Sequence, residues 1–319
     1  MLNVLFMGTP DFARDSLKEL YEAKYNILGV VTNPDRPKGR GMKMIPSPVK
    51  EYALEKSLKI YQPEKVRNNE KFIDEIRKLK PDVICVVAYG KILPKDLLEI
   101  PKFGCVNVHA SLLPKYRGAA PIQWAVLNGD KVTGVTTMFM DEGMDTGDMI
   151  LKQEIEIDDD ETMGELWNRL AIIGGKLLVK TLELIKKGNV PREKQGDNYT
   201  HAPMINKEMS KIDWNHKSAK EIKNLVRGLN PIMGAYTYLN EKKVKFWKVD
   251  IEKECIYDNE NIKDCKNGTV IVSNPKDGLY IKTRDGILKV LEIQGENAKR
   301  MNVCDFLRGN PIKEMEIFE

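Results

Sequence analysis

The chain has 319 residues, more than one hydrophobic core usually holds, so two domains are expected. With 42% hydrophobic and 31% charged residues it reads as an ordinary globular protein, and no apolar run approaches the roughly 18 residues of a membrane helix. A net charge of +4 is too weak by itself to identify a nucleic-acid partner, and three histidines with five scattered cysteines disfavour a metal site and a disulfide framework.

Residues Met1 to Met7 lack a basic leader and run straight into Gly8-Thr9-Pro10, so they read as a buried first strand, and the expected compartment is the cytoplasm. Further strands are expected at Ile27–Thr32, Asp82–Tyr89, Cys105–His109, Gly134–Met140 and Met149–Ile157. The first four strands are β-branched or continuously apolar, as buried parallel strands tend to be. Helices fit Pro10–Ala23, Ser47–Leu58, Asn69–Leu79 and Pro121–Asn128 between them. Thr162 and Glu165 form a capping box ahead of a long apolar stripe that stops at Lys186-Lys187-Gly188. This pattern predicts an α/β domain over residues 1–188, with a Rossmann-like, mostly parallel sheet and helices on both faces. Residues 189–206 are polar and aperiodic, as in a linker. Over 207–319, a helix at Ser218–Gly228 precedes five short strands, Ala235–Leu239, Val244–Val249, Gly268–Ser273, Leu279–Thr283 and Ile287–Gln294. They suggest a small, OB-like antiparallel barrel.

Three clusters could carry chemistry. In the first, Asn107 and His109 are two apart and so share one face of a strand that breaks off into Ser111-Leu112-Leu113-Pro114. The plain alternative is a satisfied histidine at a strand end. Cys105 has the same parity as Asn107 and stays open as a nucleophile, as does Ser111, although it lacks a Gly-x-Ser-x-Gly elbow. The second cluster, Asp141 to Asp148, packs four carboxylates and two glycines into eight residues and must be a loop. A calcium loop counted from Asp141 would put Lys152 where the bidentate glutamate belongs, which leaves a solvated acidic turn or a site. If neighbouring parallel strands end on one sheet edge, an aspartate of this loop can meet His109. A carboxylate beside an imidazole stabilises the charged ring, and an amide adds a neutral donor, which together suit a tetrahedral oxyanion in acyl transfer. The third cluster, residues 33–48, sets Arg36, Lys38, Arg40 and Lys43 among prolines and glycines, either as a solvated loop or for phosphate contact. Lys242, Lys243, Lys245 and Lys248, interleaved with Phe246 and Trp247, repeat the theme, and a solvated edge strand fits them equally. Gly8-Thr9-Pro10-Asp11 breaks the dinucleotide pattern with its proline and reads as a tight turn.

Together Phe6–Ala13, the 34–50 loop, Ala88–Leu93, Val106–Asp130 and Asp141–Asp148 resemble the methionyl-tRNA formyltransferases, a family of folate-dependent formyltransferases, over nearly the whole chain. The Asn-x-His pair, Ser-Leu-Leu-Pro and Asp-x-Gly-x-Asp-x-Gly carry the wider class, and the proline-framed basic loop points to tRNA within it. The resemblance implies formyl transfer from 10-formyltetrahydrofolate to the α-amino group of methionine on initiator tRNA. It makes Asn107, His109 and Asp145 the catalytic set. It places Tyr89, Gly90, Ser111, Leu112, Leu113, Pro114, Asp141, Gly143 and Gly147 at the folate. It assigns tRNA contact to Arg36, Lys38, Arg40 and Lys43 and to the four barrel lysines. No metal, no membrane and a monomer are expected. An amino-sugar nucleotide or glycinamide ribonucleotide as acceptor, or a tRNA-binding module with a dead core, remain the alternatives.

Overall fold

The computed structural model describes residues 2–38, 42–252 and 264–319, in two compact units. One unit comprises Met1–Pro121, Val132–Glu156 and Trp167–Met204, and the other Ile122–Lys131, Ile157–Leu166 and Ile205–Glu319.

In chain order the first unit contains β1 (Asn3–Gly8), α1 (Asp11–Glu22), β2 (Asn26–Val31), β3 (Arg36–Lys38), β4 (Lys43–Ile45), α2 (Pro48–Glu55), β5 (Ile60–Tyr61), α3 (Glu70–Leu79), β6 (Val83–Val87), α4 (Lys95–Leu98) and β7 (Cys105–His109). After α5 (Pro121–Leu127) come β8 (Val132–Phe139), β9 (Met149–Glu156) and α6 (Met163–Lys187). The sheet runs β5-β2-β1-β6-β7-β8-β9. The first five strands are parallel, β8 runs against them, and β9, antiparallel to β8, points the same way as the first five. Residues Val4 to Met7 of β1 are fully buried, which explains their unbroken apolar run: the strand is covered on both faces. On one face α6 lies close to α1. A Cβ at Gly175 would come within 2.8 Å of the Glu19 side chain, and Phe12 meets Trp167 edge-on at 5.3 Å. On the other face Phe72, Ile76 and Leu97 of α3 and α4 pack with Leu5, Met7, Ile84 and Cys105. Farther along that face Leu113 packs on Met138 and Met149, so loops rather than a helix cover the sheet there.

The 33–48 segment, expected as a loop, contains a short hairpin in which β3 pairs antiparallel with β4. Salt-bridged Asp35–Lys50 (2.6 Å) and the Thr32–Ser47 hydroxyl contact (2.7 Å) fasten its base. The polar 189–204 stretch belongs to the first unit and is hydrogen-bonded within it at several points. Glu193 exchanges backbone hydrogen bonds with Met149, and Thr200 and Ala202 pair with Arg117.

The second unit adds α7 (Ala219–Gly228), β10 (Ala235–Leu239), β11 (Lys242–Ile251), β12 (Val270–Asn274), β13 (Gly278–Lys282), β14 (Ile287–Gln294), β15 (Met301–Asn302) and α8 (Val303–Gly309). Ser218 and Glu221 cap α7 reciprocally. The antiparallel order is β10-β11-β14-β13-β12, with β15 on β14. Between the two ends of that path lies the tail. Glu319 pairs with Tyr238 of β10, while Phe318 donates to the Gly268 carbonyl and Val270 of β12 donates to that of Glu316. The tail thus bridges the sheet's ends around a core of Trp214, Phe246, Phe318, Val270, Ile281 and Ile293. No helix among the described residues is long and apolar enough to cross a membrane.

Candidate active site

Asn107 and His109 project from the face of β7 that carries Cys105. The His109 ring is buried, and its Nε2 lies 2.9 Å from the Tyr116 carbonyl. A carbonyl can only accept, so Nε2 carries a proton, and Nδ1 is the nitrogen left for chemistry. Nδ1 lies 3.6 Å from Oδ1 of Asp145. The same oxygen accepts from Asn107 Nδ2 at 3.5 Å, and Oδ2 accepts from the Gly118 N–H at 2.9 Å. The first two distances are long for hydrogen bonds, so Oδ1 stands between the two nitrogens without being tightly held by either.

The route that brings Asp145 there differs from the expected one. Strand β8 runs antiparallel to β7, with Val106 opposite Phe139 and His109 opposite Thr136. The loop after β8 therefore leaves from the end of β7 opposite His109 and reaches the pair by folding back across the sheet face. Its turn has strong local determinants. Asp141 accepts from the Gly143 N–H and the Thr146 hydroxyl, and Asp145 sits at a left-handed φ of 55°. Gly147 passes so close to β8 that a Cβ would fall 1.8 Å from the Phe139 carbonyl oxygen.

The other expected folate residues fall around this turn in different ways. Ser111 donates its hydroxyl to the Lys115 carbonyl at 2.6 Å and is fully buried, so it shapes the loop and is not free as a nucleophile. Leu113, joined to Pro114 by a cis peptide, and the ring of Tyr89 are core residues. Burial pushes the Tyr89 phenol well above its ordinary range. Gly90 has open space around its α-carbon, and Leu112 is half-buried. Glu142 reaches Lys95, the first residue of α4, at 3.9 Å, so the Asp141–Gly147 loop runs beside the start of that helix. Cys105 is buried with its thiol pushed up to about 12 by desolvation, which removes it as a nucleophile at neutral pH.

Among the basic residues, Arg36 and Lys43 are exposed on the β3–β4 hairpin, Lys38 ends β3, and Arg40 lies outside the described residues. The barrel lysines divide between strand faces. Lys243 and Lys245 stand opposite Tyr238 and Tyr236, whereas Lys242 is opposite Leu239. The Lys243 ammonium sits 3.6 Å from the Tyr236 ring centroid. Lys245 donates to the Met233 carbonyl, and desolvation followed by its lysine neighbours holds it below the ordinary lysine range. Lys248 is exposed near the bulge of β11.

Sequence reasoning missed the supports of Asp145. Gln195 donates to the carbonyls of Asp145 and Gly147, both at 2.8 Å, and accepts from Arg117 Nε at 2.9 Å. A lone glutamine in an aperiodic polar stretch carries no signal of such contacts. Thr136, which accepts from the Leu113 N–H and donates to the Ser111 carbonyl, is one of three threonines on β8, and nothing in the sequence singles it out from the other two.

Comparison with known proteins gives the family. The formyl transferase family matches residues 2–182, and the formyl transferase C-terminal domain matches residues 204–311. The methionyl-tRNA formyltransferase of Clostridioides difficile is 51% identical over 98% of both chains. That of Caldanaerobacter subterraneus is 48% identical over 100% of both. Among solved structures, an N-formyltransferase from Helicobacter canadensis, in complex with folinic acid and dTDP-3-aminofucose, superposes with a TM-score of 0.66. It is 20% identical and aligns over 93% of this chain and 100% of its own, so it shares the fold. HypX from Aquifex aeolicus in complex with tetrahydrofolic acid does so with a TM-score of 0.65 at 16% identity, over 100% of this chain and 50% of that one. With two matched regions spanning most of its length and close relatives that align end to end, the chain belongs to the methionyl-tRNA formyltransferase family.

Proposed function

We propose that the chain moves the formyl group of 10-formyltetrahydrofolate to the α-amino group of methionyl initiator tRNA, with Asn107, His109 and Asp145 as its catalytic residues. The observation that carries the reading is the convergence of Asn107 Nδ2 and His109 Nδ1 on one carboxylate oxygen of Asp145. The open space at Gly90 and the exposed side chain of Met144 support a folate bound beside the Asp141–Gly147 loop.

The folate supplies an activated formyl carbon, and the chain's residues arrange what attacks it. The methionyl amine reacts as the free base, and α-amino groups titrate near ~8. As its lone pair forms the new C–N bond, the carbonyl π electrons move to oxygen. Asn107 Nδ2–H and, in the doubly protonated ring, His109 Nδ1–H receive that charge. Asp145 steadies the imidazolium and takes the amine proton, through water, for delivery to the departing folate nitrogen. Arg36, Lys38 and Lys43 of the hairpin, with Arg40 and the barrel lysines, hold tRNA phosphates.

Incubation with 10-formyltetrahydrofolate and either methionyl initiator tRNA or an amino-sugar nucleotide tests the reading. Formylmethionine recovered from the tRNA, with no formylated sugar, is expected. Transfer to the sugar nucleotide alone would overturn it.

A further inference from the structure

We propose that Gln195 is a positioning residue for Asp145, so that a side chain from the polar segment after α6 governs the transfer step. The inference rests on the catalytic role of Asp145 given above. In the run of residues 191–200, Gln195 is the only one that is not exposed. Its orientation is fixed by its partners. Two carbonyls, of Asp145 and Gly147, can only accept, and the Arg117 guanidinium can only donate. The amide nitrogen must therefore face the turn, and the amide oxygen the arginine.

This placement ties together the two backbone segments that meet at the carboxylate. Arg117 precedes Gly118, whose N–H binds Asp145 Oδ2 at 2.9 Å. Gln195 thus joins the residue beside that donor to the residue carrying the acceptor. The turn it clamps has reason to relax without it, because Asp145 holds a left-handed φ of 55° that a residue with a Cβ does not favour. Arg117 is braced in turn, with its guanidinium 4.4 Å from the Tyr199 ring centroid and its backbone paired to Thr200 and Ala202. A shift of about 1 Å in a group serving the reacting atoms costs on the order of 10²-fold in rate.

The test is single-turnover formyl transfer by the full chain carrying Gln195→Ala, Gln195→Glu, Asp145→Ala or the Gln195→Ala/Asp145→Ala pair. Gln195→Ala is expected to lower the transfer rate on the order of 10²-fold with both KM values near wild type. Gln195→Glu retains an acceptor for Arg117 but turns an oxygen towards two carbonyls. It is expected to keep the thermal midpoint while losing rate like the alanine variant, which a purely structural role would not produce. In the Asp145→Ala background, Gln195→Ala should cost no more than about 3-fold, because nothing is left to position. If the two losses multiply, or if Gln195→Glu works like wild type, the positioning role falls while the catalytic reading stands. If Asp145→Ala itself transfers at the wild-type rate, both fall.

Discussion

Replacing Asp145 by asparagine changes one group and little shape. The side chain keeps an oxygen for the Gly118 N–H at 2.9 Å but gives up the charge that faces His109 across 3.6 Å. A hydrogen bond to a charged group is worth about 1 kcal/mol more than a neutral one, so the fold should lose about that much. The chemistry should lose far more. An asparagine amide turned to Nδ1 can donate to a neutral ring and so favour the tautomer protonated only at Nε2, where the Tyr116 carbonyl already sits 2.9 Å away. The ring would then have no proton to offer the oxyanion, a loss of about 10² to 10³ in kcat, and the proton acceptor would be gone, a loss of about 10² to 10⁴. Residues acting as a unit do not lose these factors in full, so a fall of about 10³, or about 4 kcal/mol, is expected with both KM values little changed. Rapid-quench transfer from 10-formyltetrahydrofolate to methionyl-tRNA measures it, alongside a thermal midpoint. A rate within about 3-fold of wild type would refute the assignment, since that corresponds to less than about 1 kcal/mol of transition-state stabilisation.

Asn107→Ala should cost about 10²-fold in kcat with little change in thermal midpoint, because its side-chain hydrogen bond among the described residues is only the 3.5 Å contact to Asp145. Full turnover would remove the amide from the oxyanion site. Arg36→Ala with Lys43→Ala should weaken tRNA binding and reduce the salt slope by about 1 per cation, leaving the folate KM alone. An unchanged slope would take the hairpin off the tRNA. Cys105→Ala should keep wild-type turnover, and alkylation of the folded protein at neutral pH should spare the buried thiol. Its ionisation in the folded state is pushed from 9.0 to about 12, so the unfolded chain loses that proton first. The stability held by the neutral thiol is complete below pH 9 and declines as pH rises towards 12, and Cys105→Ala should flatten the alkaline fall of the thermal midpoint. An unaltered alkaline profile would contradict this.

Much of the molecule could be read from local pattern. The fully buried strands announced themselves by unbroken apolar runs, and the Thr162–Glu165 capping box marked where α6 begins. Period two put Asn107 and His109 on one face before any coordinates did. What resisted reading depends on contacts distant in sequence. The direction of strand β8, which decides which sheet edge the acidic loop leaves from, is set by its pairing with β7. The expectation that Asp145 approaches His109 was sound, and the reason given for it, parallel strands ending together, was not. The tail that bridges β10 and β12 offers Met315, Ile317 and Phe318 as apolar residues, too few for any period to show. The prolines and glycines of 33–48 concealed a hairpin because its strands have three residues each.

The reversal of β8 also bears on engineering. A catalytic group at the tip of a parallel strand tolerates changes in the loop beyond it, since the strand end itself is the fixed point. Here the carboxylate's reach is set by a ruler, the six residues from Met140 to Asp145 laid back over the sheet and buckled at Gln195. Inserting or deleting one residue in that span would misplace the carboxylate while sparing the core. A chimera borrowing this edge hairpin from a relative would have to import its matching strap along with it.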